Sequence, residues 1–208
     1  MLSGFLQSAA YLNGDGWQPL PDMPVKLRSP CVVTIAIKSL NFVGFMIVGG
    51  QNDKLEAVKD TFLFLFDKKT WVRQKALLIE ARTSFSCGRI STNSSSKEMT
   101  TIAVGGHTSD GKSLSTTEIL DDSANHWRPG PELPVGIESG AMVQDWKGGV
   151  ILVGGFSEHV AIDTLWRLSD VGPDAAWMRL KQKLKTPRFG HLAFYIPDSL
   201  TSCINTGK

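Results

Sequence analysis

The stretch that decides the fold is Thr101-Ile102-Ala103-Val104-Gly105-Gly106, followed by Trp127-Arg128-Pro129-Gly130-Pro131-Glu132-Leu133-Pro134. A β-branched apolar run ends in two glycines, and a tryptophan then opens a proline-rich turn. The pattern recurs on both sides. Phe45-Met46-Ile47-Val48-Gly49-Gly50 precedes Trp71, and Val150-Ile151-Leu152-Val153-Gly154-Gly155 precedes Trp177. The second glycine leads its tryptophan by 21, 21 and 22 residues, while the first glycines lie 56 and then 49 positions apart. One such spacing could arise by chance; three in phase are an internal repeat.

Each unit carries more than its two landmarks. Short apolar runs at 61–66, 116–120 and 164–168 lie between diglycine and tryptophan, and strand-like runs at 31–37, 84–90 and 139–146 lie upstream. About four short strands per unit of roughly 50 residues fit the blade of an all-β propeller. Helices do not fit, because the runs are short, β-branched and broken by glycine and proline. An apolar strand packed between neighbouring blades reads as continuously hydrophobic. A diglycine without Cβ atoms can end it where backbones turn or approach closely. Trp71, Trp127 and Trp177 are expected to fill the wedges between adjacent sheets rather than to stack a ligand.

These residues resemble the kelch repeat, whose unit runs from an arginine near the first strand to a diglycine, then through an aromatic–acidic pair and a tryptophan to a proline-bounded turn. Arg82 and Arg188 match the arginine, Phe66-Asp67 and Leu120-Asp121 lie near the usual Tyr–Asp pair, and Trp17-Gln18-Pro19-Leu20-Pro21-Asp22-Met23-Pro24 matches a blade ending. The third unit departs, with a longer turn before Trp177 and Gly136-Ile137-Glu138 where the arginine would stand; Arg28-Ser29-Pro30 matches in part. The resemblance covers about 17–197 and implies an all-β propeller with kelch-like four-stranded blades. Three are nearly complete, at about 25–81, 82–134 and 135–186, with partial strands at both ends. The stretch 17–20 reads as the outermost strand of one further blade and 190–196 as the innermost strand of another, with the middle two strands missing. Fewer blades than the six expected of kelch families then imply a fragment, or a ring completed by partner chains, whose terminal blades fray.

Composition narrows the function. With 22 Lys plus Arg against 20 Asp plus Glu the chain is nearly balanced, which opposes a nucleic-acid face. The sharpest basic cluster, Lys181, Lys183, Lys185 and Arg188, reads as a solvated blade edge. No apolar run is long enough to span a bilayer. Three cysteines, Cys31, Cys87 and Cys203, form no CxxC; an odd count favours a reducing compartment, cytoplasmic over secreted, with Cys31 and Cys87 as buried free thiols. The polar loop at 91–97 contains an Asn93-Ser94-Ser95 acceptor that matters only on a secretory route.

No catalytic centre, metal site or cofactor is nominated. His107, His126, His159 and His191 show no HxxxH or HExxH spacing, no GxSxG is present, and the diglycines do not open helices as phosphate loops do. The resemblance implies a non-catalytic scaffold that binds another protein through loops gathered at one face, for substrate recognition or cytoskeletal attachment. The loops at 51–57, 107–113 and 156–160 are the candidate surface, with Gln51, Asn52, His107, Ser109 and Phe156 as binding residues. Arg82 and Arg188 contribute either to that surface or to anchoring between strands. The alternatives are a propeller enzyme similar to galactose oxidase and an inactive fragment.

Overall fold

A computed structural model describes residues 4–37, 42–93, 98–121 and 126–196. Residues 94–97 of the polar loop, Pro197 and Cys203 lie outside the described residues. The chain opens with a hairpin, β1 (Ala9–Asn13) and β2 (Gly16–Leu20). Blade 1 is β3 (Cys31–Ile37), β4 (Phe42–Val48), β5 (Thr61–Leu65) and β6 (Thr70–Arg73). Blade 2 is β7 (Ser86–Ser91), β8 (Met99–Val104), β9 (Thr117–Leu120) and β10 (Trp127–Pro129). Blade 3 begins with β11 (Ala141–Gln144) and β12 (Val150–Val153), then inserts a small hairpin, β13 (Phe156–Ser157) and β14 (Val160–Ala161). It ends with β15 (Thr164–Leu168) and β16 (Met178–Lys183). Each blade is an antiparallel four-stranded meander in chain order. The register repeats: Val48 faces Thr61, Val104 faces Thr117 and Val153 faces Leu165.

Burial follows position in the blade. The third strands β5 and β9 are buried almost throughout, because other blades cover both faces, whereas the outermost β6 and β16 are mostly exposed. Arg179, Lys181 and Lys183 alternate along β16, so the basic cluster decorates a solvated edge strand, where charge opposes edge-to-edge pairing. The core is built between blades. One cluster joins Val33, Met46, Val48, Leu63 and Leu78 of blade 1 to Phe85, Ala103, Leu120 and Trp127 of blade 2. A second joins Ile90, Ile102 and Ile119 of blade 2 to Leu152, Leu168 and Trp177 of blade 3. The tryptophans are therefore wedges: Trp71 Nε1–H donates to Pro21 O at 2.8 Å and Trp177 Nε1–H to Pro131 O at 3.0 Å, each reaching back across one interface.

The diglycines serve close approach. Gly50, Gly106 and Gly155 each donate an N–H, at 2.9 Å, to the carbonyl of a residue entering the following unit: Arg82, Ile137 and Arg188. A Cβ on the preceding glycine would lie 2.8, 2.1 and 2.6 Å from the same three carbonyl oxygens. Leu27, Arg82, Ile137 and Arg188 thus occupy one entry position. Two residues later, Ser29, Ser84, Ser139 and Gly190 all adopt left-handed φ, between 50° and 62°. Their backbones form a ladder around the array: Ser84 N–H to Ser29 O (3.4 Å), Ser139 N–H to Ser84 O (2.7 Å) and Gly190 N–H to Ser139 O (2.7 Å).

Three expectations change. First, Cys31 and Cys87 are joined in a disulfide, with Cα atoms 6.0 Å apart, between the innermost strands of blades 1 and 2. They are not free thiols: the repeat brings cysteines 56 residues apart side by side, so the odd count no longer argues for a reducing compartment. Second, 17–20 is not a lone outer strand. Ala9–Asn13, with no sequence signal of its own, pairs with it from Ala9↔Leu20 to Asn13↔Gly16. The hairpin docks on blade 1 through Leu6 and Leu27, whose backbones exchange hydrogen bonds at 3.2 and 3.1 Å. Third, 191–196 forms no strand, because no second strand lies beside it among the described residues.

Candidate protein-binding face

Gln51, His107 and Phe156 each follow a diglycine and occupy equivalent positions. Each exchanges two backbone hydrogen bonds with the residue after an entry position: Arg28 with Gln51 (2.9 and 2.9 Å), Thr83 with His107 (3.0 and 3.0 Å), and Glu138 with Phe156 (3.0 and 2.8 Å). The three nominated loops are therefore stationed at the same end of consecutive blades. Side chains tie them into one row. Ser109 Oγ accepts the Ala57 N–H at 2.8 Å, bridging the first two loops. His107 Nε2 lies 3.3 Å from Glu138 Oε2, and the Phe156 ring meets Phe189 edge-on at 5.1 Å.

The nominated residues divide into builders and presenters. Gln51 is buried and donates Nε2–H to Leu55 O at 3.0 Å, shaping its loop from within. Asn52 Oδ1 accepts from Lys54 N–H and Glu56 N–H at 3.0 and 2.9 Å, an Asx-turn that fixes the loop tip. Ser109 and His107 link loops. Asp110 has its carboxyl held below the usual range, first by the Thr108 hydroxyl and then by the Lys112 N–H, so the second loop keeps a negative charge at its tip.

Arg82 belongs to the interior. It is 0% exposed, with Nη1 donating to Gly105 O (2.9 Å) and Thr116 O (3.1 Å), and Nη2 to Thr116 Oγ1 (2.9 Å) and Glu118 Oε1 (2.6 Å). Glu118 also accepts the Ile79 and Glu80 N–H groups at 2.6 and 3.0 Å, so its charge is fully engaged. Arg82 is thus an anchor and takes no part in an exposed surface. An open groove of about 520 Å³ between blades 1 and 2 is lined by Lys59, Ile79, Glu80, Ser109, Asp110 and Lys112. Arg188, by contrast, is exposed; among the described residues its side chain donates only to Thr186 O, at 3.3 Å.

The apolar presenters were missed. Leu55 is 59% exposed and held at φ 66°, a conformation that costs a non-glycine residue about 1–2 kcal/mol. Gly111 occupies the corresponding point of the second loop: Leu55 N–H donates to Asn52 O and Gly111 N–H to Thr108 O, both at 3.0 Å. Val160 projects from the β13–β14 turn, whose central residues Glu158 and His159 both have positive φ. Ile79 and Phe189 complete the exposed apolar points along the row. A leucine at a polar loop tip was the one available sequence signal. Among the described residues, no group of three His, Cys, Asp or Glu side chains is placed to hold a metal, and no helix is long and apolar enough to cross a membrane.

A family model described as the kelch motif matches residues 100–134. The chain is a kelch-motif-bearing partial β-propeller. That match falls on blade 2, from β8 to the proline turn after Trp127. A solved structure titled "Structure of YjhT", a β-propeller protein, superposes with a TM-score of 0.66 at 13% identity, covering 90% of this chain and 68% of the other. At that identity the likeness concerns the fold. No curated protein matches. Three four-stranded blades and two two-stranded hairpins, β1–β2 and β13–β14, make up the partial propeller among the described residues.

Proposed function

We propose that this kelch array is a non-catalytic scaffold that binds another protein through the loop row of blades 1 to 3. The observation that carries the reading is the division of labour in that row. Buried and polar groups (Gln51, Asn52, Ser109, His107) fix the loops, while Leu55 and Val160 are held out to solvent and Ile79 is exposed in the lining of a groove. Rigid loops presenting isolated apolar anchors within a polar rim suit a protein interface, where a few central residues supply most of the affinity. Substrate recognition for a larger assembly and attachment to the cytoskeleton both use such a face.

The test is a comparison of proteins cross-linked to tagged chain with those cross-linked to Leu55→Asp and Val160→Asp variants. Both positions are exposed, so the blades should keep their circular dichroism. Loss of one or more specific partners in both variants supports the reading. Partner recovery unchanged in both, with folded protein, removes the loop row as the binding face.

A further inference from the structure

The turn between β1 and β2 carries a dipeptide that occurs once in the chain. Of six asparagines in the sequence, Asn13 alone is followed by glycine. Asn13 pairs with Gly16, so Gly14 and Asp15 are the two turn residues, and all three of Asn13, Gly14 and Asp15 are exposed. Asn13 Oδ1 accepts the Asp15 N–H at 2.9 Å, which turns the carboxamide toward the residues that follow it. The Gly14 N–H makes no hydrogen bond among the described residues. A Cβ built on Gly14 would meet nothing within 4 Å, and its backbone lies outside the left-handed region. Neither space nor backbone angle therefore requires glycine here. What the missing Cβ does leave is an unhindered amide nitrogen beside the Asn13 carboxamide.

We propose that Asn13 is a self-modifying site, where the Gly14 amide nitrogen displaces the side-chain amide and the hairpin tip gains a carboxylate. Solvent base takes the Gly14 amide proton, and the nitrogen attacks Asn13 Cγ. The Gly14 N–Cγ bond forms, the Cγ–Nδ2 bond breaks, and Nδ2 leaves as ammonia with a proton returned from water. Water then opens the five-membered succinimide. Addition at Cγ restores the backbone with aspartate at position 13. Addition at the main-chain carbonyl leaves isoaspartate, whose chain runs through the side-chain carbon. The second product inserts one more atom at the pair that closes the hairpin, and both set a new negative charge beside Asp15. The root of the hairpin stays bonded to blade 1 through Leu6 with Leu27 and through the Trp71 bond to Pro21 O. The modification thus marks the tip and leaves the blades in place.

Two sites in the loop row show what protection looks like. Asn52 is half-buried and its carboxamide is held on both sides: Oδ1 accepts the Lys54 and Glu56 N–H groups, and Nδ2 donates to Glu56 Oε2 at 2.9 Å. The next residue, Asp53, adds a Cβ and a charge that opposes loss of its amide proton. Asp110-Gly111 has the glycine but not the electrophile. The Thr108 hydroxyl and the Lys112 N–H hold the Asp110 side chain as a carboxylate, which resists attack by a nitrogen nucleophile. Asn13 has neither safeguard.

The test is to age the folded full chain at neutral and mildly alkaline pH and to map its peptides by mass spectrometry. Isoaspartate is labelled in parallel with an isoaspartyl methyltransferase and a labelled methyl donor. Deamidation changes the mass, whereas isomerisation at Asp15-Gly16 or Asp110-Gly111 does not, so the two are told apart. Asn13 should convert about tenfold faster than Asn52, a barrier difference of about 1.4 kcal/mol, and faster still as pH rises. Gly14→Ala, which the open space and the backbone angle tolerate, should slow conversion of Asn13 about tenfold with circular dichroism unchanged. Asn13→Gln should abolish the mass gain and the label at this position, and Asn52→Gln should leave the Asn13 rate as it was. Conversion of Asn52 as fast as Asn13, an Asn13 that converts only in denaturant, or a Gly14→Ala chain that converts at the native rate would each overturn the proposal.

Discussion

Blades 2 and 3 solve the same packing problem with opposite chemistry. At the entry position blade 2 has Arg82, and at the facing third-strand position it has Glu118; blade 3 has Ile137 and Trp166 at the corresponding places. Blade 1 follows blade 3, with Leu27 and Phe62 in one apolar cluster. The arginine that marks the repeat in sequence is therefore not what holds every blade. What Arg82, Ile137 and Arg188 share is the backbone contact, an entry carbonyl bonded to the second glycine and crowding the first, whereas the Leu27 carbonyl takes the Leu6 N–H. The side chain above that carbonyl can be charged if an acid answers it, or apolar if an apolar group does. A buried pair of this kind contributes little net stability over well-packed hydrophobes, but half of one is costly.

The sharpest way to break the comparison is to leave half a pair. Arg82→Ala strands Glu118 at 2% exposure and should lower unfolding free energy by about 3–5 kcal/mol, read from chemical denaturation. Converting blade 2 to the blade 3 solution, with Arg82→Ile and Glu118→Trp together, should recover most of that loss. The double variant should lie within about 2 kcal/mol of the native chain, a strongly non-additive cycle. If it is as unstable as the single variant, the two chemistries are not interchangeable. On the loop row, Leu55→Gly releases a left-handed leucine to the residue type that blade 2 uses there. It should gain about 0.5–1 kcal/mol in thermal denaturation while weakening partner cross-linking. Trp177→Phe removes the bond to Pro131 O and should cost about 1 kcal/mol beyond the lost area. Trp127→Phe, whose indole N–H is buried without a partner, should cost less.

The smallest effect is in pH. Burial, and then the Arg188 charge, hold the His191 pKa below its ordinary value of 6.5. The unfolded chain binds more protons than the folded one between that lowered value and 6.5, so this contribution to stability is present above 6.5 and lost as pH falls through the window. His191→Gln should remove that part of the slope in thermal midpoints between about pH 8 and about pH 5.

What was legible followed from repetition. Three diglycines in phase with three tryptophans placed the four main strands of each blade, because packing against a like neighbour imposes the same residues at the same spacing, whereas the β13–β14 hairpin inside the 156–160 loop was not foreseen. The loops were placed for the same reason. The roles within them were not, since exposure depends on φ at single residues: nothing in Leu55 itself says that Asn52 folds the loop to hold it outward. Arg82 was left between surface and anchor because its acid lies 36 residues away on β9. Ala9–Asn13 was invisible for a different reason: its partner Trp17 carries the repeat signature, and β1 carries none. The cysteines were misjudged because their pairing is a property of blade stacking, which a motif search for short spacings does not see.

The Cys31–Cys87 bond has a consequence for a severed chain. Its loop encloses β4, β5 and β6 and the whole of the 51–57 loop. A protease that cuts the tip between Asn52 and Glu56 would therefore separate nothing: the two pieces stay covalently linked through the bond as well as packed. A denaturing gel would show one band without reductant and two with it. The loop whose tip carries the exposed Leu55 is thus also one whose cleavage leaves the molecule in one piece.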